Sequence, residues 1–178
     1  LFVKIFGPVL QNDPTPSLRQ ESLVLCAGIT GEASTRALIA ALFDDNEKIR
    51  AGAQEALVAR FILDPENTLS LLLTARGWIN HSINEIFNKV QEQDPKLLLR
   101  ELEKILSYHQ NHPDELLEPA IRQMMQRATP EYLPSLAQIA RQCENKTYRL
   151  SALSKLHKER SYYPQEEFIS LCIVCLED

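Results

Sequence analysis

Apolar residues recur every three or four positions along most of the chain, and prolines cut that pattern into short pieces. This period is that of a helix with one buried face. The spacing predicts helices over 1–10, 17–29, 32–43, 47–62, 66–75, 79–91, 95–108, 114–128, 131–142, 146–159 and 165–176. In 47–62, Ile49, Ala53, Ala56 and Leu57 share a face, while Lys48, Gln54 and Glu55 lie elsewhere. Leu98, Leu102, Ile105 and Leu106 form the stripe of 95–108. Tyr132, Leu136, Ile139 and Cys143 mark the next long stripe, with Leu150, Leu153 and Leu156 after it. Helices of about 10–15 residues do not stand alone in water and need neighbours to cover such stripes.

The punctuation agrees with this reading. Thr15-Pro16, Asp64-Pro65, Asp94-Pro95 and Thr129-Pro130 each read as an N-cap followed by proline at the first helical position. There the missing N–H costs nothing and the fixed φ suits a helix. His112-Pro113-Asp114 and Tyr163-Pro164 open two further helices, and Thr30-Gly31-Glu32 and Asp45-Asn46-Glu47 serve as turns with capping oxygens. Pro134 falls in a first turn, whereas Pro119 is expected to kink 114–128 or to shift its start.

Asp13 precedes Arg19 by six positions and Asp44 precedes Arg50 by six, the two sets lying 31 residues apart. A helical period of that length points to a solenoid. The segment 18–60 carries Gly31, then Ala37-Leu38-Ile39-Ala40-Ala41-Leu42, Asp44-Asp45, Ile49-Arg50 and Ala51-Gly52-Ala53-Gln54-Glu55-Ala56-Leu57. It resembles the HEAT-like repeat, in the short variety named after phycobilisome lyases. The likeness continues more weakly: Ile79–Phe87 aligns with Ile49–Leu57 at an offset of 30, and Tyr148-Arg149 falls at an offset of 99 from Ile49-Arg50.

The resemblance implies an all-α chain, an α-α superhelix of about five antiparallel helix pairs, with 1–178 as one domain cut from a longer array. It also implies that Asp13, Arg19, Asp44, Arg50 and Arg149 form a half-buried ladder between repeats. The arginine fork binds carboxylates or turn carbonyls, so this ladder needs no ligand. Arg50 is expected to reach Asp44 or Asp13, or the turn carbonyls of a neighbouring repeat. Glu55, Glu85, Gln123 and Ser154 fall at equivalent outward positions, which the resemblance places on the concave, partner-binding side.

Composition adds limits. The chain has 178 residues, 44% of them hydrophobic and 24% charged, which fits a folded chain and not a disordered one. A formal charge of −5 argues against nucleic acid as the partner. Cys26, Cys143, Cys172 and Cys175 are scattered within apolar patterns, which predicts a reducing compartment and a cytoplasmic location. No apolar run reaches the length of a membrane span. One local exception to the acidity stands out. Between 141 and 160, Arg141, Lys146, Arg149, Lys155, Lys158 and Arg160 face only Glu144 and Glu159. The bland reading is a solvated helix face, and the sharp one is an anion-binding patch.

Catalytic and metal signals are sparse. His109, His112 and Glu115 have a metal-like spacing but straddle a helix end and a proline turn. Cys172 and Cys175 form a lone CxxC with aliphatic residues between them, which favours packing over zinc or redox work. His81, His157, Trp78 and the Met124-Met125 pair read as helix-surface or packing residues. The sequence holds no P-loop, dinucleotide fingerprint or nucleophile elbow. The expectation is therefore a non-enzymatic scaffold that binds another protein or peptide, with no cofactor. The alternatives are a phycobilisome-lyase-like bilin attachment subunit and a HEAT-like nucleic-acid repair protein.

Overall fold

The structure is a computed structural model and describes residues 2–75, 80–109, 117–127, 129–143 and 145–177. Among these, the chain forms eleven α-helices and no strand. They are α1 (Phe2–Asn12), α2 (Pro16–Gly28), α3 (Glu32–Ala41), α4 (Glu47–Leu63), α5 (Pro65–Thr74), α6 (Asn80–Gln93), α7 (Leu97–His109), α8 (Leu117–Gln126), α9 (Leu133–Gln142), α10 (Lys146–Lys158) and α11 (Gln165–Glu177). Short 3-10 turns over Pro130–Tyr132 and Arg160–Tyr162 precede α9 and α11. All helix ends except the start of α8 fall within two residues of the ends that the apolar pattern predicts. Within the single domain 1–178 expected from the sequence, the contacts gather into two compact units, Leu1–Glu101 and Leu102–Asp178.

The caps explain several boundaries. Asn46 and Asn145 open α4 and α10, each side chain accepting the N–H two residues ahead, Lys48 and Thr147, at 2.9 Å. Asp94 accepts from Lys96 and Leu97 at 3.1 Å. Thr15 and Asp64 occupy N-cap positions before prolines as expected, but their side chains make no capping bond. The Asp64 carboxylate is taken by the Asn67 amide instead, at 3.0 Å. Gly31 precedes α3 at φ 116, a left-handed setting that side chains resist. Pro119 lies in the first turn of α8, where proline is tolerated.

In the first unit, Ile49, Ala53, Leu57 and Phe61 line α4 and are fully buried. Ala56, expected on that face, is half-buried at its margin. The Phe61 ring meets Phe87 of α6 edge-on, with centroids 5.9 Å apart. α4 also runs close to α2. A Cβ on Gly52 would stand 2.8 Å from Leu23 Cδ2, so glycine permits this approach. In the second unit, Tyr132, Leu136, Ile139 and Ala140 pack with Ala152, Leu156 and Leu171. The Cys175 thiol donates to the Ala140 carbonyl at 3.1 Å and ties α11 to α9.

The stripe expected on α10 is corrected. Leu156 is buried and Leu153 half-buried, but Leu150 is 49% exposed, and Ala152 takes the inner position. Steps of three residues drift about 60° each around a helix, so Leu150 lies about 120° from Leu156. The true inner line runs from Ala152 to Leu156, one step of four.

The largest surprise in the first unit is Arg60. It lies on α4 between Leu57 and Phe61 and is only 3% exposed. Its guanidinium donates to Ser34 Oγ (2.8 Å) and Thr35 Oγ1 (3.0 Å) at the start of α3. It also donates to the carbonyls of Cys26 (3.2 Å), Ala27 (3.1 Å) and Ile29 (2.7 Å) at the end of α2. Burial lowers the pKa of the guanidinium, and the charge of Asp64 opposes that effect. The carbonyls at a helix C-terminus lack intrahelical partners and carry its negative dipole end, so they suit a cation. Replacing Arg60 by alanine is expected to destabilise the first unit by about 3 kcal/mol, because several buried acceptors lose their donor together. Urea titration of the variant, followed by circular dichroism, checks this. A midpoint within error of the wild type would refute it.

Candidate functional site

The residues predicted for a ladder meet at the turns. Arg19 is buried in the first turns of α2. Its Nε and Nη2 donate to the two Asp44 oxygens at 2.7 and 2.9 Å, a bidentate pair across 25 residues. It also contacts Asp45. Arg50 reaches the turn carbonyls of Asp44 (2.7 Å) and Asp45 (2.9 Å), and not a carboxylate. Asp13 contributes its carbonyl to Arg19 at 2.8 Å, while its carboxylate accepts the Thr15 N–H at 2.8 Å. Arg149 donates to the Cys143 carbonyl at 3.0 Å. One rule covers the three junctions: each arginine reaches back six residues to a main-chain oxygen. The contacts of Arg19 with Asp44 and Asp45 add a link from one turn to the next.

The four expected contact positions are unequal. Glu55 is exposed on α4. Glu85 is half-buried, accepts from Gln54 Nε2 at 2.6 Å and lies 3.3 Å from His81. Gln123 is buried on α8, where Arg127 donates to its side-chain oxygen, which leaves it little surface to offer. Ser154 is exposed on α10.

Ser154 opens onto the most chemically distinctive hollow among the described residues. The cavity measures about 370 Å³ and lies between α8 and α10 in the second unit. Arg122 and Met125 line it from α8, and Ser151, Ser154, Lys155 and Lys158 line it from α10. On α10 these four follow the spacing i, i+3, i+4, i+7, an arc of about 100°. That spacing is normally an apolar stripe, and here it carries two hydroxyls and two ammonium groups. Among the described lining residues there are three cations and no carboxylate or imidazole.

Arg122 is held in position. It pairs with Glu118 one turn earlier at 2.7 Å. Glu118 is also hydrogen-bonded to Tyr148 of α10, and that bond, against a smaller opposing effect of burial and with further help from Arg122, keeps its carboxyl below the ordinary range. Burial, then Glu118, raises the Tyr148 phenol. Glu118 therefore stays ionised near neutral pH and links Arg122 of α8 to Tyr148 of α10 beside the hollow.

The six basic residues of 141–160 do not form one stripe. Lys155 and Lys158 enter the hollow. Arg149 is spent on the Cys143 carbonyl, and Arg141 and Lys146 are exposed away from its lining. The side chain of Arg160 lies outside the described residues. Arg122 was not singled out in the sequence, although its position four residues after Glu118 marks a helix-surface ion pair.

Other expected features fall elsewhere. Cys172 is half-buried and Cys175 buried, and neither is in a disulfide. No group of three metal-ligating side chains occurs among the described residues. The side chains of Trp78, His109, His112 and Glu115 lie outside them. No described helix is long and apolar enough to cross a membrane. No known family model, curated protein or solved structure shows significant similarity to the chain.

The Arg19–Asp44 pair sets a pH dependence for the first unit. Burial pushes the Asp44 carboxyl up, but bonds from Arg19 and the Asn46 N–H outweigh it and leave the pKa below its usual value. A lowered folded pKa stabilises the protein above the unfolded value, about 3.9, and that contribution fades as pH falls through the folded pKa. Asp44→Asn should lower the urea midpoint at pH 6–7, and the gap from wild type should narrow below about pH 4. A gap constant from pH 7 to pH 3 would contradict this assignment.

Proposed function

We propose that the chain is a non-enzymatic helical-repeat module of the HEAT-like type that binds a partner protein, and that its contact surface takes an acidic segment of that partner. The observation that carries this reading is the basic hollow of α8 and α10, with Arg122, Lys155 and Lys158 on one concave surface of an otherwise acidic chain. Support for the repeat type comes from the three turn junctions, where Arg19, Arg50 and Arg149 repeat one contact at offsets of 31 and 99 residues. The superhelical stacking of about five pairs remains part of the proposal.

The hollow suits binding more than turnover. Its cations attract an anion, and its described lining offers neither a carboxylate nor an imidazole as general base. The dispersal of the basic residues favours a protein partner over nucleic acid, whose backbone calls for a track of cations. Glu55 and Glu85 are retained as a second, outward contact edge in the first unit.

The test is fluorescence anisotropy with a labelled glutamate decapeptide, beside a labelled single-stranded oligonucleotide. Wild type should bind the peptide more weakly as salt rises. Lys155→Glu with Lys158→Glu should reduce affinity by about tenfold or more, since two attractions become repulsions. Glu55→Lys with Glu85→Lys should leave peptide affinity unchanged. Wild-type binding indistinguishable from the Lys155/Lys158 variant, or stronger binding to the oligonucleotide, would refute the proposal.

A further inference from the structure

The hollow carries more donor variety than a carboxylate uses. A carboxylate offers two oxygens in one plane and a single charge. The lining brings a planar guanidinium from α8 and two hydroxyls and two ammonium groups from α10. These donors come from two helices, so they can approach an oxyanion from more than one side, as a tetrahedral group needs. A phosphoryl group has three strong acceptor oxygens and a charge of about −1.5 to −2 near neutral pH. Arg122 supplies the fork that pairs with such a group, and it is already oriented by Glu118.

The size and placement narrow the ligand. The α10 stripe from Ser151 to Lys158 rises about 10 Å, the span of about three extended residues. A volume of about 370 Å³ sits at the small end of ligand pockets and takes one side chain with its flanks. Met125 gives the hollow an apolar portion against which a methylene can rest. Among the described residues, Arg141, Lys146 and Arg149 do not line the hollow, so the described cluster suits one anionic group more than a row of them.

We propose that the hollow formed by Arg122, Ser151, Ser154, Lys155 and Lys158 is a receptor for a phosphoserine in an extended segment of the partner protein. This rests on the protein-binding reading above and specifies its ligand. Partner recognition then depends on phosphorylation of that partner, with Ser151 and Ser154 donating to phosphoryl oxygens and the cations balancing the charge.

The test uses three short glycine-serine peptides that differ at one central residue: serine, glutamate or phosphoserine. Each is titrated into the isotopically labelled full chain, and amide shifts are followed by NMR. The phosphoserine peptide should shift amides in 122–126 and 151–158 and bind about tenfold tighter than the glutamate peptide, with the serine peptide inert. Lys158→Gln and Ser154→Ala should each weaken phosphopeptide binding at least about threefold without moving the thermal midpoint. Both positions are exposed, so neither variant depends on the harder Arg122 substitution. Equal affinity for glutamate and phosphoserine would overturn the phosphate assignment while leaving the acidic-segment reading intact. No shift with either peptide would overturn both. Inorganic phosphate binding as tightly as the phosphopeptide, or a single-stranded oligonucleotide or phosphatidylserine vesicle binding more tightly, would also overturn the inference.

Discussion

The first unit depends on an arginine placed where a helix ends. A buried guanidinium is costly unless its donors are met, and the cost grows when no carboxylate neutralises it directly. The hydrogen bonds described for Arg60 end on neutral oxygens, three of them carbonyls at the C-terminal end of α2. The arrangement solves two problems at once. The last carbonyls of a helix need donors, and the negative end of its dipole favours a cation. Ser34 and Thr35 add the start of α3 to the same cluster, and Ser34 Oγ donates its own hydrogen bond to the Ile29 carbonyl at 2.6 Å. Three helices thus share one point whose geometry tolerates little displacement.

Arg19 does the corresponding task at the other end of α2, gripping the turn between α3 and α4 through Asp44. Apolar stripes alone allow neighbouring helices to slide or rotate, since Leu, Ile and Ala pack in many registers. Polar clusters at both ends of α2 remove that freedom. Gly52 adds a steric counterpart, for a Cβ there would stand 2.8 Å from Leu23 Cδ2 and push that methyl aside. Register here follows from directed bonds at the ends and close contact in the middle.

The comparison of residues with fold shows what a sequence pattern can carry. Helices were legible because period and proline punctuation are local signals. The six-residue spacing of Asp13–Arg19 and Asp44–Arg50 was legible for the same reason, but not that each arginine, Arg149 included, bonds a main-chain oxygen in the turn that begins its own helix. The carboxylate partner was less so: Asp44 serves Arg19 from the preceding turn and not Arg50 from its own helix. Arg60 escaped notice because charge is read by default as solvated. Yet it stands three residues after Leu57 and one before Phe61, on the buried face, where only a cluster of oxygens makes it tolerable. The hollow was half legible. Lys155 and Lys158 belonged to a basic run, but its meaning required Arg122, which is remote in sequence and brought close by α8.

The two units use the same junction for different ends, and one side chain makes the difference. At the α3–α4 turn the residue six before the arginine is Asp44, and its carboxylate joins a second arginine. At the α9–α10 turn the equivalent residue is Cys143, which offers Arg149 its carbonyl and has no carboxylate to offer a second arginine. The carboxylate of the second unit lies instead at Glu118, where it pairs with Tyr148 and Arg122. That shift moves an acid from internal bracing to the rim of a cavity, where it orients a cation without closing off the other two. On a chain of net charge −5, a concave cluster of three cations is the place where a mobile anion finds a favourable field. Screening over about 8 Å at physiological salt confines that attraction to the hollow itself. In the proposed function, recognition is therefore governed by close contacts with Arg122 and the α10 stripe, and not by the charge of the whole chain.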